Sequence, residues 1–429
     1  MLNDKLTLDL GASYIKQKDN NMVNQGIYQN PLVSAYLFPR GGDWNDVRMF
    51  EEWNTSRKIY TQRWDYGLVD YNGQNPYWIN YRNLRHNTKD RYMLNGSLSY
   101  SILDWLSVSG RVRTDFSSTK YTERLYATTN TTLTDGSDTG FYGFTTYRDR
   151  QTYADFLVNI NKTFNEEITL TANAGASISD IFQDYQEVKG ALVSSDQDDS
   201  AIPNKFNIMQ IDRSKMKPYQ ASYQDQTQSY FASAEVGYKG AYYLTLTGRY
   251  DRPSQLAGPL STKSGFFYPS VGTSLILSEI ITMPKQIDYL KLRGSFASVG
   301  LPYQRGLAQI YHEWQVSSGQ YNPNLHHYPI SSLDPERTNS WEIGITTRFL
   351  QNFRLDLSLY HAKSFNQTFE ANISTSSGYD KFYVHSGSVV NTGIEISLGY
   401  DNHWGNLKWA STYTFSANKN KITEMAEKF

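Results

Sequence analysis

The sequence predicts an all-β protein: an antiparallel sheet of the kind that makes a transmembrane β-barrel, with long extracellular loops. Three observations predict it. Apolar and polar residues alternate with a period of two in one segment after another. The joints between those segments are short on one side and long on the other. Aromatic residues are abundant: 34 Tyr, 20 Phe and 9 Trp make 15% of the 429 residues.

The segment from Arg91 to Phe116 shows the unit. Tyr92, Leu94, Gly96, Leu98, Tyr100 and Ile102 fall on one side of an extended strand, and Met93, Asn95, Ser97, Ser99 and Ser101 on the other. After Leu103-Asp104-Trp105, Leu106, Val108, Gly110, Val112, Thr114 and Phe116 alternate with Ser107, Ser109, Arg111, Arg113 and Asp115. Successive side chains of a strand point to opposite faces. Each arm has about the 9–11 residues that a tilted strand needs to cross a bilayer. About thirteen such strands are expected by this criterion. They are the first (Leu6, Leu8, Leu10 and Ala12 on one face), the two arms just described, and 152–162, 168–178, 228–238, 241–251, 267–277, 289–298, 338–349, 354–362, 391–400 and 407–417.

The joints add an orientation. Those at 103–105, 163–167, 239–240, 350–353 and 401–406 are short. Those at 19–90, 117–151, 179–227, 299–337 and 363–390 are long, and 252–266 and 278–288 are intermediate. Short periplasmic turns and long outer loops are the habit of outer-membrane barrels. A soluble sandwich alternates in the same way but has no reason to sort its loops by side. No fixed repeat period points to a solenoid, and no linker marks an internal domain boundary. The long loops exceed the ordinary length of structureless connections, which points to function.

Composition narrows the rest. With 41 basic and 42 acidic residues the charge is balanced, which gives no argument for a nucleic-acid partner. No apolar run is long enough for a transmembrane helix, whereas a barrel hides its hydrophobicity in alternate positions. The chain has no Cys, so disulfides and thiolate metal sites are excluded. The start, through Leu6, Leu8 and Leu10, has no leader character and reads as the middle of a strand, hence as part of a longer protein.

No catalytic, cofactor or metal motif emerges. His86, His312, His326, His327, His361, His385 and His403 lie outside any zinc-protease spacing. The adjacent pair His326-His327 points apart in an extended segment. Asp196, Asp198 and Asp199 faintly resemble a calcium loop but lack its glycine and distal Glu. The expectation is a protein that is not an enzyme. The outer loops are instead rich in Tyr, Trp, Asn, Gln and Arg. In Asn75-Pro76-Tyr77-Trp78 and in Tyr311-His312-Glu313-Trp314-Gln315, flat rings could stack on sugars while amides and guanidinium groups bond to hydroxyl or peptide groups. Tyr77, Trp78, Tyr311 and Trp314 are the candidate substrate contacts. The alternative for the same residues is packing of the loops against one another.

Several stretches, taken in order, resemble the SusC/RagA-like TonB-dependent outer-membrane transporters of Bacteroidetes-type bacteria. They are Asn30-Pro-Leu-Val-Ser-Ala-Tyr-Leu-Phe-Pro-Arg-Gly41 with Asn75-Pro-Tyr-Trp78, Trp105-Leu-Ser-Val-Ser-Gly-Arg111, and Tyr243-Leu-Thr-Leu-Thr-Gly-Arg249 with Asp251. Phe267-Tyr-Pro-Ser270 and Leu290-Lys-Leu-Arg-Gly-Ser295 follow. Asp334-Pro-Glu-Arg-Thr-Asn-Ser-Trp-Glu-Ile-Gly344 and Ser386-Gly-Ser-Val-Val-Asn-Thr-Gly-Ile-Glu395 complete the set. The resemblance implies residues 1–429 as a partial TonB-dependent receptor β-barrel domain in the bacterial outer membrane, with the plug and the closing strands absent. Gly344 and Gly393 would relieve crowding between strands, and the Glu, Ser and Arg positions would line the lumen. The implied activity is TonB-dependent import of a large polar nutrient, an oligosaccharide or a peptide. The implied partners are a SusD-like surface lipoprotein, the TonB complex acting through the plug, and outer-membrane lipid. The competing reading is a soluble or surface-anchored β-rich glycan-binding protein. An odd strand count also argues that this segment is part of a barrel, because single-chain bacterial barrels close with even numbers.

Overall fold

The computed structural model describes residues 5–66, 73–196, 198, 201–259, 261, 263–302, 305, 313–317, 320–324, 328, 335–379 and 381–424. Thirteen strands form one antiparallel sheet in strictly sequential order. They are β1 (Leu6–Asn20), β2 (Asn83–Leu103), β3 (Leu106–Tyr126), β4 (Gly140–Phe164), β5 (Ile168–Ala191), β6 (Lys217–Tyr238) and β7 (Tyr242–Pro253). They continue as β8 (Phe266–Ile276), β9 (Ile287–Leu301), β10 (Glu336–Phe349), β11 (Phe353–Asn372), β12 (Lys381–Trp404) and β13 (Leu407–Glu424). Among the described residues, β1 and β13 each pair on one side only.

Register turns the alternation of single strands into two continuous faces. Leu8 lies opposite Leu98 and Tyr14 opposite Tyr92, Tyr92 opposite Phe116, and Val108 opposite Val158. Further round, Ala234 faces Leu246, Leu246 faces Val271, Phe296 faces Trp341, and Ile343 faces Leu359. Leu359 in turn faces Ile394, and Ile396 faces Phe415. Most of the larger of these side chains are exposed, from β1 to β13. An apolar band of this extent is at odds with solution and fits hydrocarbon. Tyr238 and Tyr242 mark its lower edge beside the Lys239-Gly240 turn, and Tyr230 and Tyr250 its upper edge. Eight residues separate the two edges on β7, about 27 Å of strand at roughly 3.4 Å per residue, which at a tilt of about 40° rises roughly 20 Å, most of the height of such a band. Rings with a polar end suit both boundaries. Lys162 lies over Trp105 and Phe164 at the same lower edge, keeping its ammonium at the polar boundary.

The turns at the lower edge are tight. Lys239 and Gly240 both take positive φ, 52° and 65°, the backbone that a two-residue hairpin requires. Leu350 and Gln351 adopt it without a glycine, at 50° and 64°. The intermediate joint 278–288 lies on this same side and begins with a short helical turn, Leu277–Ile280.

All thirteen expected strands are present, but most are longer than the alternation indicated. Strands β2 to β6 run for 21 to 25 residues, twice what the band needs. Their outer halves meet water or loop on both faces, so no apolar period marks them. The long joints are correspondingly shorter: 19–90 becomes 21–82, 117–151 becomes 127–139, and 179–227 becomes 192–216. The first of these is not structureless. It folds into α1 (Pro31–Tyr36), α2 (Trp44–Arg48), a hairpin of Glu51–Asn54 with Ile59–Gln62, and α3 (Pro76–Arg82).

The band makes a quantitative expectation. Leu246, midway between Tyr242 and Tyr250, should not tolerate charge. Leu246→Arg is expected to cost about 2–4 kcal/mol of barrel stability, read by urea unfolding in lipid vesicles. Thr245→Arg on the opposite face, beside the Glu235 carboxylate that Thr245 already meets at 3.0 Å, is expected to cost almost nothing.

Candidate functional site

The face opposite the band is polar and internally paired. Arg91 grips Asp115 through Nε at 2.9 and 3.1 Å, and Arg111 grips Asp155 at 2.9, 3.1 and 2.8 Å. Arg249 reaches Asp251 at 2.7 Å and Ser229 at 2.9 Å. On β9, Arg293 lies across β10 to reach β11. Its Nη1 donates to Thr346 at 2.9 Å and to Asp356 at 3.1 Å, and its Nη2 donates to Asp356 at 3.0 Å. The crossing depends on Gly344, where a Cβ would stand 2.5 Å from the Arg293 Cζ. Gly393 leaves the same kind of room for the Tyr360 ring, 2.4 Å from a notional Cβ. Both glycines thus do the spacing work their place in the sequence implied. Gly344→Ala is expected to lift the guanidinium off Asp356 and to cost about 1.5–3 kcal/mol, the worth of hydrogen bonds to a charged group. Heat-modifiable gel mobility would register this as a lower unfolding temperature.

Above the band, the loops between β1 and β6 gather into a roof. It sits on the polar face: Arg85, on the same side of β2 as Arg91, is only 2% exposed. Its Nε binds Glu123 at 2.8 Å and its Nη2 binds Gln29 of the loop at 3.0 Å. The roof is organised by the segment ending in α3. Asn75 caps that helix by accepting from the Tyr77 N–H at 2.9 Å, and Pro76 supplies the first helical position. The Asn75 amide also donates to the Val47 carbonyl at 2.7 Å and the Arg63 carbonyl at 3.1 Å. Gln74 donates to the Tyr28 carbonyl at 2.6 Å and accepts from the Asn130 N–H at 2.9 Å. Buried amides thus satisfy loop backbone that would otherwise be stranded. Arg82 closes the helix with a fork on Glu51, 2.8 Å on each arm, sandwiched near the rings of Phe50 and Tyr126.

The sequence candidates part company here. Trp78 is fully enclosed at 0% exposure, its indole N–H donating to Thr129 at 2.9 Å, and Thr129 donates on to Asn83 at 2.8 Å. In this arrangement it packs the roof and offers no face to a ligand. Tyr77 is half-buried in an aromatic stack, its ring near-parallel to Tyr81 (10°) and to Phe50 (22°). Its hydroxyl accepts from the Trp44 indole at 3.2 Å. Hydrogen bonds from Trp44 and then Arg48 pull the Tyr77 phenol below its ordinary pKa. Tyr311, His312, His326 and His327 lie outside the described residues. Trp314 belongs to a small hairpin, Glu313–Ser317 with Gln320–Asn324, of whose backbone alone the structure speaks. Tyr81, 54% exposed, and Tyr36, 86% exposed, present open rings that the sequence reading missed. Trp53 and Tyr60 form a further exposed pair, edge to face at 5.2 Å. An Asn-Pro helix start followed by Tyr at i and i+4 was the signal available for Tyr81. Among the described residues, no three His, Cys, Asp or Glu side chains gather as a metal site would require.

A charged latch ties the roof together. Arg57, at the tip of the 51–62 hairpin, donates to the Asp138 carbonyl at 2.8 Å and its carboxylate at 3.0 Å. Ser194 also donates to that carboxylate, at 2.8 Å. Burial alone would push the Asp138 carboxyl up, but the bonds from Ser195 and Ser194 and the Arg57 charge outweigh it, leaving its pKa below 3.8. A carboxylate held down in the folded state contributes stability that is present above the ordinary value and lost as pH falls through the depressed one. Protease protection of the roof should therefore persist at pH 5 and fall away below about pH 4. Asp138→Asn should be less protected at neutral pH and lose less on acidification.

Comparison with known proteins agrees with this architecture. A chain of the RagAB peptide importer in its closed-closed state matches with a TM-score of 0.77 at 16% identity, over 100% of this chain and 46% of that one. The ferric-catecholate import receptor Fiu of Escherichia coli K12 matches at 0.53 and 12% identity, over 98% and 56%. At such identities these likenesses concern the fold. In sequence, TonB-dependent receptor P26 of Formosa agariphila is 27% identical over 278 residues, 62% of this chain. TonB-dependent receptor P39 of the same organism is 24% identical over 295 residues, 64% of this chain. The chain spans only 27% of the length of either relative. The TonB dependent receptor-like, beta-barrel family model matches residues 36–427; the chain belongs to that family of outer-membrane receptors and transporters.

Proposed function

We propose that the protein containing this chain imports a large polar nutrient, an oligosaccharide or a peptide, across the outer membrane. In this reading residues 1–429 are the wall and roof of a larger barrel, and the plug and closing strands come from other parts of the protein. Among the described residues, the thirteen strands of the sheet, whose first and last pair on one side only, and the even count of closed bacterial barrels support that division. TonB supplies the energy by acting on the plug, and a SusD-like lipoprotein covers the outer face. The importer named for the RagAB neighbours carries peptide, which favours this class of cargo without choosing between peptide and glycan.

The observation that carries the reading is the pairing of a rigid roof with open aromatic faces. Tyr81 stands on the helix that Asn75 caps and Arg82 ties to Glu51, Trp53 and Tyr60 on the hairpin that Arg57 ties to Asp138, and Tyr36 on a short helix capped by Asn30, so little order is lost when a ligand stacks on them. No covalent step is required. The exposed apolar band removes the support for a freely soluble binding protein.

The test uses the full-length protein with its lid partner in detergent, screened by calorimetry against oligosaccharide and oligopeptide pools. The combined variant Tyr81→Ala and Trp53→Ala is expected to weaken binding at least tenfold, about 1.4 kcal/mol, while the roof keeps its protease resistance. Trp78→Ala is expected to do the reverse: it should loosen the roof, by about 3–5 kcal/mol for a buried ring. Unchanged affinity in the double variant would place the binding surface elsewhere.

A further inference from the structure

One cleft of mixed polar and apolar lining lies on the wrong side of the wall to serve import. On β9 to β11 the outward face carries Phe296 opposite Trp341, rings 4.8 Å apart, at the upper edge of the apolar band. Directly above them, register places Ser298 beside Asn339 and Asn339 beside Lys363, and then Arg337 beside Phe365. The strand parity that turns Trp341 outward turns Arg337 and Asn339 outward as well. Phe296, Ser298, Arg337, Asn339 and Phe365, with Pro269 and Lys263, line an open cleft of about 380 Å³.

Arg337 is held there by neutral acceptors. Its Nε donates to the Ser298 hydroxyl at 2.7 Å and its Nη2 to the Phe267 carbonyl at 2.6 Å. Ser298, 6% exposed, passes its own proton to the Asn339 side chain at 2.7 Å. Arg91, Arg111 and Arg293 each meet a carboxylate, and on the outward face Arg150 meets Asp180 at 3.6 Å. Among the described residues, no carboxylate stands within ion-pair distance of Arg337. A guanidinium pre-oriented by neutral groups, with Lys263 in the lining and Lys363 next to Asn339 in register, is suited to a phosphate. Its depth, just beyond an aromatic boundary, and its walls of Phe296, Pro269 and Phe365 suit a ligand with hydrocarbon attached.

We propose that this outward cleft binds the phosphorylated headgroup of an outer-leaflet lipid, its phosphate on Arg337 and its first hydrocarbon segment against Phe296 and Trp341. The site rests on the outer-membrane placement of the barrel and is independent of what the protein imports. A failure of that placement would show separately, as a full-length protein that stays in solution without detergent.

The test is native mass spectrometry of the full-length protein in detergent, titrated with phosphorylated lipid A and with its dephosphorylated form. Wild type is expected to retain one phosphorylated copy. Arg337→Gln is expected to lower that occupancy at least fivefold and Lys363→Gln about twofold, while Arg150→Gln leaves it unchanged. If Arg337→Gln fails to give a heat-modifiable barrel, the double variant Lys263→Gln and Lys363→Gln decides by the same readout. Wild-type occupancy in the Arg337 and Lys363 variants would overturn the proposal. Equal retention of dephosphorylated lipid, or displacement of the lipid by millimolar inorganic phosphate, would overturn it too, the first leaving only an apolar contact and the second a site for the free ion.

Discussion

Hydrocarbon offers nothing to an N–H or a carbonyl, and the rest of the structure follows from that. Each strand inside the band must spend its backbone on its two neighbours, which fixes the sequential order and the near-unbroken register from β1 to β13. Once register is fixed, side-chain parity is fixed with it, and every residue belongs to lipid or to the wet interior. The ion pairs of Arg91, Arg111 and Arg293 are possible because the ladder keeps them on the wet side. Irregular backbone is confined to the two ends, which is why the roof stands wholly beyond Tyr92 and Phe116.

The wall was legible in the sequence because lipid leaves a period-two imprint wherever it touches a strand. All thirteen strands could be found by that imprint, and their outer halves could not. Residues 83–90 of β2 and 180–191 of β5 meet water or roof on both sides, so polar and apolar residues fall there without period. The roof was less legible. In Asn75-Pro76-Tyr77-Trp78 the aromatic content suggested a ligand surface. The cap and the proline make a helix, in which neighbours diverge by about 100°. Tyr77 and Trp78 therefore go to different surroundings, one to a stack near solvent and one to the buried cluster around Thr129. That difference is a property of three dimensions and of contacts more than fifty residues away.

Wall and roof are stabilised by different physics. The wall has few enclosed apolar side chains of its own and relies on its ladder and on its surroundings. The roof is built like a small soluble protein: Val47, Trp78, Ile79, Leu125 and Leu192 are buried together with Gln74, Asn75 and Thr129, which answer the loop backbone. Its joins to the wall are polar and directional, as in Arg85 with Gln29 and Thr129 with Asn83. Roof sequence can change without disturbing the membrane segment, provided the few joins survive, as expected of variable loops on a constant scaffold.

The reach of Arg293 over Gly344 has a mechanical meaning. A ladder gives way one hydrogen bond at a time when strands are peeled apart, whereas a load parallel to the strands must break many of its bonds at once. A side chain anchored on β9 and tied to Asp356 on β11 spans the strand between like a rivet through three planks. Any sliding of β9 relative to β11 would have to break that tie as well as the ladder.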